Sequence, residues 1–327
     1  GWAILDTDNP DDRQEVETIF AGDTIPRLLQ PGEAFRIMTG APIPPNAEAL
    51  VMVEDGLHGV ARKNFIRRKG ENISRGMVAL EKNTILTSAS LSLLATIGHS
   101  QVPVYSPPKV SIISTGNELV IPGKTLNPGQ IYESNSILLS SLLQKAGAIS
   151  TNFKSSDNID SLRELLDQCA KSSDLILTSG GVSMGDHDFV RRLLIEEGDP
   201  YFWKIKMRPG GPPIFGMWKG TPILGLPGNP VSTHIVFLNL VVPWLSNPTL
   251  FYKKIRVRLK SKIKGAPDKT VFRRLKIHSD NELTATTHTH QGSGNINSMV
   301  VHDALSILPP NTTGEVGDII EALWLID

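Results

Sequence analysis

A strand, a glycine-rich loop and a helix follow one another between residues 174 and 194, and this succession constrains the fold more tightly than anything else in the chain. Asp174-Leu175-Ile176-Leu177 is an apolar run of the kind buried on both faces of a parallel sheet. Phe189 to Leu194 has helical spacing. Between them lies Thr178-Ser179-Gly180-Gly181-Val182-Ser183-Met184-Gly185-Asp186-His187-Asp188. Three glycines and two serines at such a junction let backbone N–H groups converge on an anion at the helix N-terminus. Asp186 and Asp188 would repel a bare anion, so the loop points to one that arrives with a divalent metal, such as a phosphate held through Mg²⁺. A tight turn whose aspartates cap the next helix is the simpler alternative.

The same alternation recurs from residue 108 to about 248. A strand is predicted at Val110–Ser114, a helix at Ser136–Ala146 stopped by Gly147, and an amphipathic helix at Ile159–Ala170 through Leu162, Leu165, Leu166 and Cys169. Strand 174–178, helix 188–197, the segment Phe202–Met207, strand Ile223–Gly225 and helix Val231–Val242 complete the series. Repeated β-α units predict a mostly parallel sheet covered on both faces, a three-layer α/β domain with ligands beyond the carboxyl ends of its strands.

The flanks differ. Residues 1 to about 105 are rich in Pro and Gly, with short alternating runs such as Ala49–Val53 and one short helix, Ser90–Ile97, ending at Gly98. After residue 250 the helical period disappears. Lys253–Lys264 places Ile255, Val257, Leu259 and Ile263 on one face, and Arg256, Arg258, Lys260, Lys262 and Lys264 on the other. That predicts a half-buried antiparallel strand in a small β-barrel or sandwich.

At 327 residues the chain is long enough for two or three domains. With 33 basic and 33 acidic side chains, no overall field favours nucleic acid. The single Cys169 excludes an intramolecular disulfide framework and fits a reducing, cytoplasmic setting. Ile235–Leu245, the longest apolar stretch, is too short to span a bilayer and contains Asn239 and Pro243. The expected partner is therefore a small-molecule substrate, with neither nucleic acid nor membrane. The chain starts at Gly1-Trp2-Ala3, without Met and in what reads as mid-strand, so it is expected to be part of a longer protein.

Four loops of the α/β region fall at ligand-facing positions. They carry Thr115, Gly116 and Glu118; Asp157; Ser179, Gly180, Gly181, Ser183, Gly185 and Asp188; and Pro227, Gly228 and Asn229, with Pro230 suited to the first turn of a helix. Glu118, Asp157 and Asp188 together make a set of hard oxygen ligands suited to Mg²⁺. Alternatively, Asp157 caps its helix and Glu118 is a solvated loop acid. Lys204, Lys206 and Arg208 recur at period two before Pro209-Gly210-Gly211-Pro212-Pro213, sharing one face of a strand and suited to an oxyanion. His288 and His290 also share a strand face, but two histidines without a third ligand are a weak metal site. The glycine loop is neither a Walker loop nor a dinucleotide fingerprint.

Taken together these residues resemble the molybdopterin molybdenumtransferase family, MoeA and the C-terminal domain of gephyrin, over essentially the whole chain. The resemblance is carried by Gly1-Trp2-Ala3, Arg36 to Pro44, Gly70-Glu71-Asn72-Ile73, Ser114 to Leu119, Gly129 to Asn135, the glycine loop, Gly225 to Val231 and Gln291 to Gly294. It implies a multidomain, elongated homodimer in which the α/β domain, 108–249, is flanked by β-rich N-terminal domains (1–73, with 74–107 as a connecting segment of the linker or dimer domain) and a C-terminal β-barrel-like domain, 250–327. The implied reaction inserts molybdate into adenylylated molybdopterin, with Mg²⁺ assisting and AMP released, a molybdopterin adenylyltransferase being the pathway partner. Glu118, Asp157 and Asp188 would be the functional acids, with Glu118 and Asp188 on the metal. Lys204 and Arg208 would bind oxyanion, Thr39 would approach from a neighbouring domain, and Ser293 from the C-terminal one. An adenylyltransferase and a gephyrin-like scaffold binding a partner peptide are the rival readings.

The chain departs from the family pattern in three places. The aspartate that precedes the Gly-Trp-Ala position is missing because the sequence starts too late to include it, Asn72 stands where relatives often carry Asp, and Gly211 stands where they commonly carry Lys.

Overall fold

The computed structural model describes residues 1–183, 188–245, 250–287 and 290–326. They form two compact units, Gly1–Val104 and Tyr105–Asp327.

The first unit is built on a five-stranded sheet: β1 (Trp2–Ile4), β2 (Gln14–Ile19), β3 (Glu33–Ile37), β4 (Ala49–Val51) and β5 (Ala61–Arg62), in the order β2-β3-β1-β4-β5. The alternating Ala49-Leu50-Val51 run forms β4, which pairs antiparallel with β1. Ala3, Ile19, Leu29, Phe35, Ile37 and Ala47 make one core of this sheet, and Trp2, Ile4, Ala34, Ala49 and Val51 the other. Arg13 is buried and donates through Nη1 to the carbonyls of Leu57 and Gly59, at 3.3 and 2.8 Å, fastening that loop to the sheet. Helix α1 (Ser88–Thr96) begins two residues earlier than expected because Thr87 caps it, accepting from the Ser90 amide at 3.3 Å. Its C-terminus is followed by Gly98, at φ +86°.

The second unit contains the α/β layers and a barrel. In chain order it runs β6 (Lys109–Thr115), β7 (Leu119–Val120), β8 (Ile131–Tyr132), α2 (Asn135–Lys145), β9 (Ile149–Ser155), α3 (Ile159–Ser172), β10 (Leu175–Ser179), α4 (Phe189–Glu196), β11 (Asp199–Trp203), β12 (Met207–Arg208), β13 (Ile214–Trp218), β14 (Thr221–Leu226) and α5 (Pro230–Val236). The six-stranded sheet has the order β11-β13-β14-β10-β6-β9. Four neighbours, β14, β10, β6 and β9, are parallel; at one edge β13 runs antiparallel to β14, and β11 antiparallel to β13. All five side chains of β10 are buried, as expected of a central parallel strand.

Two separate apolar clusters occupy the two faces of this sheet. Leu162, Leu166 and Cys169 of α3 pack with Val190, Leu193 and Leu194 of α4 on one face. Leu139 and Leu143 of α2 pack with Val231, Ile235 and Val236 of α5 on the other. The expected single helix Val231–Val242 is instead α5, a wider π turn over Phe237–Val241, and a short α6 (Val242–Leu245). Asn239 lies in that π turn and donates back to the Ile235 carbonyl at 2.8 Å, and Pro243, which has no N–H, follows. Among the described residues no helix is long and apolar enough to cross a membrane.

Of the remaining strands, β15 (Tyr252–Leu259), β17 (Arg274–Ser279), β18 (Leu283–Thr287), β19 (Ala304–Ile307) and β20 (Ile319–Leu325) close a five-stranded barrel in the order β15-β18-β17-β19-β20, whereas β16 (Thr270–Val271) pairs parallel with β12. The long alternating strand expected over 253–264 ends at Leu259; Ile263 makes only an isolated bridge to Gly314. Phe272, Leu305 and Leu323 belong to the α2–α5 cluster, so the barrel and the α/β layers share a core.

Candidate functional site

Three parallel strands end side by side, and the row Ser114–Ser179–Leu226 is set by their register. Short polar bonds tie together the loops that leave this row. The Gly180 amide donates to the Leu226 carbonyl at 3.0 Å, and Thr115 Oγ1 donates to the Ser179 carbonyl at 3.3 Å. Asn135, the first residue of α2 and largely buried, donates through Nδ2 to Ser179 Oγ and to the Gly228 carbonyl, both at 2.7 Å. Asn135 was not among the expected site residues, although it ends the motif Gly129–Asn135; its role as a tie depends on loops about 44 and 93 residues away.

The glycines are needed where they stand. Gly180 and Gly181 have φ +91° and +70°, the left-handed region that L side chains resist. A Cβ on Gly180 would meet Thr115 Oγ1 at 3.0 Å, and one on Gly181 would meet Val190 Cγ2 at 2.9 Å. The loop therefore lies flat against its neighbours. Ser183 is exposed at its far end, while Gly185, Asp186 and the rest of 184–187 lie outside the described residues. Gly116 is at φ +138°, and its missing side chain leaves room for the Glu118 carboxylate, which a Cβ there would meet at 2.5 Å.

The three acids do not form one ligand set. Asp157 Oδ2 accepts from the Asn117 amide at 3.0 Å, and Asn117 Oδ1 accepts from the Asp157 amide at 3.4 Å. This reciprocal clasp joins the loop after β6 to the loop after β9. The cap of α3 is Asn158, whose Oδ1 accepts from the amides of Asp160 and Ser161 at 3.0 Å each. Asp188 stands at the N-cap of α4 but makes no side-chain capping bond. Among the described residues no three His, Cys, Asp or Glu side chains gather around a common point as a metal cage would require. Among the described residues Glu118, Asp157 and Asp188 are not gathered into one cage, and Asp157 Oδ2 is turned onto a backbone amide.

The basic segment is also rearranged. β11 stops at Trp203, Lys204 has φ +71°, and β12 covers only Met207 and Arg208. Lys204, Lys206 and Arg208 thus do not share the face of one strand. The Lys204 amide instead bonds to the Pro213 carbonyl at 3.0 Å, and the Ile205 amide to the Gly211 carbonyl at 2.9 Å, folding the segment back on itself. Even so, all three line one open cavity of about 880 Å³ together with Gly211 and Lys269. Burial, then the nearby Arg208, pushes the Arg273 guanidinium below its ordinary range.

The barrel contributes the loop that carries Ser293. The Ser293 carbonyl accepts the Val231 amide at 3.1 Å, at the first turn of α5, which follows Pro227, Gly228 and Asn229. This loop is held by Arg274, only 1% exposed, which donates through Nε to Ser298 Oγ and through Nη2 to the Gly292 carbonyl, both at 3.0 Å. Its Nη1 is buried without a partner among the described residues. Burial and the adjoining Arg273 push its pKa down to about 10. Arg274 was not expected as a site residue; strand alternation puts it on the polar face of β17, and its burial comes from the loop laid over it. His290 lies beyond β18 and takes an Asn295 Nδ2 bond at 2.9 Å; His288 lies outside the described residues.

Thr39 belongs to the first unit. There it lines a cavity of about 810 Å³ with Gly40, Arg67, Glu71 and Asn72.

Comparison with known proteins gives a consistent picture. Residues 1–98 match the MoeA N-terminal region (domain I and II), 111–247 a probable molybdopterin binding domain, and 256–325 the MoeA C-terminal region (domain IV). A molybdopterin molybdenumtransferase of Bacillus subtilis is 34% identical over 339 residues, covering 97% of this chain and 79% of that protein. The molybdopterin molybdenumtransferase 2 of Mycobacterium tuberculosis is 41% identical over 244 residues, 70% of this chain; the match spans 60% of that relative's length. Among solved structures, the molybdopterin biosynthesis MoeA protein from Pyrococcus horikoshii OT3 superposes with a TM-score of 0.77 at 26% identity, covering 99% of this chain and 86% of that one.

Proposed function

This chain belongs to the MoeA family of molybdopterin molybdenumtransferases, and from that premise we propose that it transfers molybdate into adenylylated molybdopterin, with release of AMP. The observation that carries the reading is the edge where β6, β10 and β14 end, with two left-handed glycines and a lysine- and arginine-lined cavity in the same unit. Flat glycine backbone suits a phosphate, because nothing stands between the peptide groups and the ligand oxygens. Lys204 and Arg208 are suited to the incoming molybdate dianion, Arg208 with a planar fork that can take two oxygens. Gly211, in place of lysine, leaves Lys269 of the barrel segment as a further cation in that cavity.

Glu118 and Asp188 are the groups we assign to Mg²⁺. The donor chemistry fits: the ion commonly takes one or two carboxylates, with water and substrate phosphate completing its shell, and a three-acid cage is not required. When bound it would neutralise charge on the pyrophosphate. The protein's own part is positioning and a fixed field. In this reading Asp157 holds loops and does not touch substrate.

The proposal extends to the division into residues 1–73, 74–107, 108–249 and 250–327, to a cytoplasmic homodimer, to a substrate-binding role for Thr39, and to an adenylyltransferase that supplies the substrate. The test is incubation of the chain with adenylylated molybdopterin, molybdate and Mg²⁺, following AMP and molybdenum cofactor. Stoichiometric appearance of both supports transfer. Formation of an adenylate from ATP and molybdopterin, with no use of molybdate, would assign the chain to the preceding adenylylation instead.

A further inference from the structure

Trp203, the last residue of β11, touches three parts of the site at once. Its indole Nε1 donates to the Val182 carbonyl at 3.1 Å, inside the glycine loop. Lys204 Nζ lies 4.0 Å from the ring centroid, and the Arg191 guanidinium carbon lies 4.5 Å from it. Arg191 in turn donates its backbone amide to the Gly181 carbonyl at 3.1 Å. Each cation is attracted to the electron-rich ring, which fixes where its charge sits. The left-handed backbone at Lys204, φ +71°, carries its side chain back to the tryptophan that precedes it.

We propose that Trp203 is a positioning residue that holds the glycine loop by its N–H and, by its ring, sets Lys204 for the oxyanion in the cavity that Lys204 lines. The inference rests on the oxyanion reading of this site. It separates the indole into two jobs: the ring face sets the cations, and the N–H sets the loop. A side chain that merely fills the core would do neither selectively.

The two jobs can be separated with Trp203→Phe, which keeps a ring face but lacks the N–H, and Trp203→Leu, which lacks both. Equilibrium dialysis of the 327-residue chain against molybdate, sulfate and phosphate measures binding without turnover, and thermal melts check the fold. Trp203→Leu should weaken molybdate binding about threefold to tenfold, the range expected for lost cation–ring contacts. Trp203→Phe should bind within about twofold of wild type yet show a kcat lowered about tenfold, the loss of one hydrogen bond to the loop. Unchanged molybdate binding in Trp203→Leu, or equal weakening in both variants with a matching fall in Tm, would overturn the proposal. If wild type binds all three dianions alike without transferring molybdenum, and Trp203→Leu weakens all three, the positioning role stands while the transferase reading fails.

Discussion

The strand-end loops of the α/β sheet and the barrel loop 290–298 reach a fixed shape by opposite means. The first is held by backbone and small side chains: Gly180 on Leu226, Thr115 on Ser179, Asn135 on Ser179 and Gly228. Among the described residues, no buried charged side chain enters these ties. The second hangs on one buried guanidinium, Arg274, which has an unpartnered N–H among the described residues. A pKa near 10 against the ordinary 12.5 means that burial and Arg273 cost the charged form about 3 kcal/mol. The glycine edge is thus held by many small polar contacts, whereas the barrel loop is positioned by one buried cation whose charged form is disfavoured by its own burial.

The contrast is exposed to experiment at several points. The largest effect is expected for Asp188→Ala, at the glycine edge: transfer should fall on the order of 10²–10³-fold, measured as AMP release, with an unchanged melt. Wild-type turnover would remove Asp188 from the site. Next, Arg274→Met should slow transfer about tenfold, because Gly292 and Ser298 lose their anchor, yet leave urea stability within about 1 kcal/mol. A loss of several kcal/mol would mean that the cation stabilises the barrel after all. Gly180→Ala should do the reverse, costing about 1–2 kcal/mol from its φ of +91° before any effect on binding is counted.

Asp157→Asn tests the clasp. The amide oxygen can still accept from Asn117, so turnover should stay within about threefold, whereas a catalytic carboxylate would lose far more. The smallest effect belongs to Asp167, on α3, which accepts from Trp218 Nε1 at 2.9 Å and pairs with Lys219. Lys219, its largest influence, and Trp218 hold its carboxyl below the usual 3.8. The folded form therefore binds its proton less readily than the unfolded chain. Its contribution, under about 1 kcal/mol, is complete above pH 4 and fades as pH falls through the acid range. Asp167→Asn should remove that part of the acid limb in pH-dependent melts and leave turnover alone.

Much of this was legible beforehand. The apolar run at 174–177 became the fully buried β10, and the amphipathic pattern from Ile159 became α3 with Leu162, Leu166 and Cys169 inward. Period and apolar content suffice there because a side chain's face follows from its place in a regular element. The same logic misled at Lys204, Lys206 and Arg208: period two assumes a continuous strand, and a left-handed Lys204 ends it. It also gives no sign of the buried Arg274, whose burial depends on a loop some 18 residues further on.

Sequence alone therefore settled the α/β alternation around β6, β10 and β14, the β-rich character of the flanks and the glycine loop at the end of β10, because these follow from local spacing and backbone freedom; β9, β11 and β13 were read only from the fold. The clasp on Asp157, the tie at Asn135, the ring under Lys204 and the buried Arg274 came from the folded chain. Each joins residues far apart in sequence or bends the backbone out of its regular period, and only packing determines which polar groups then face one another.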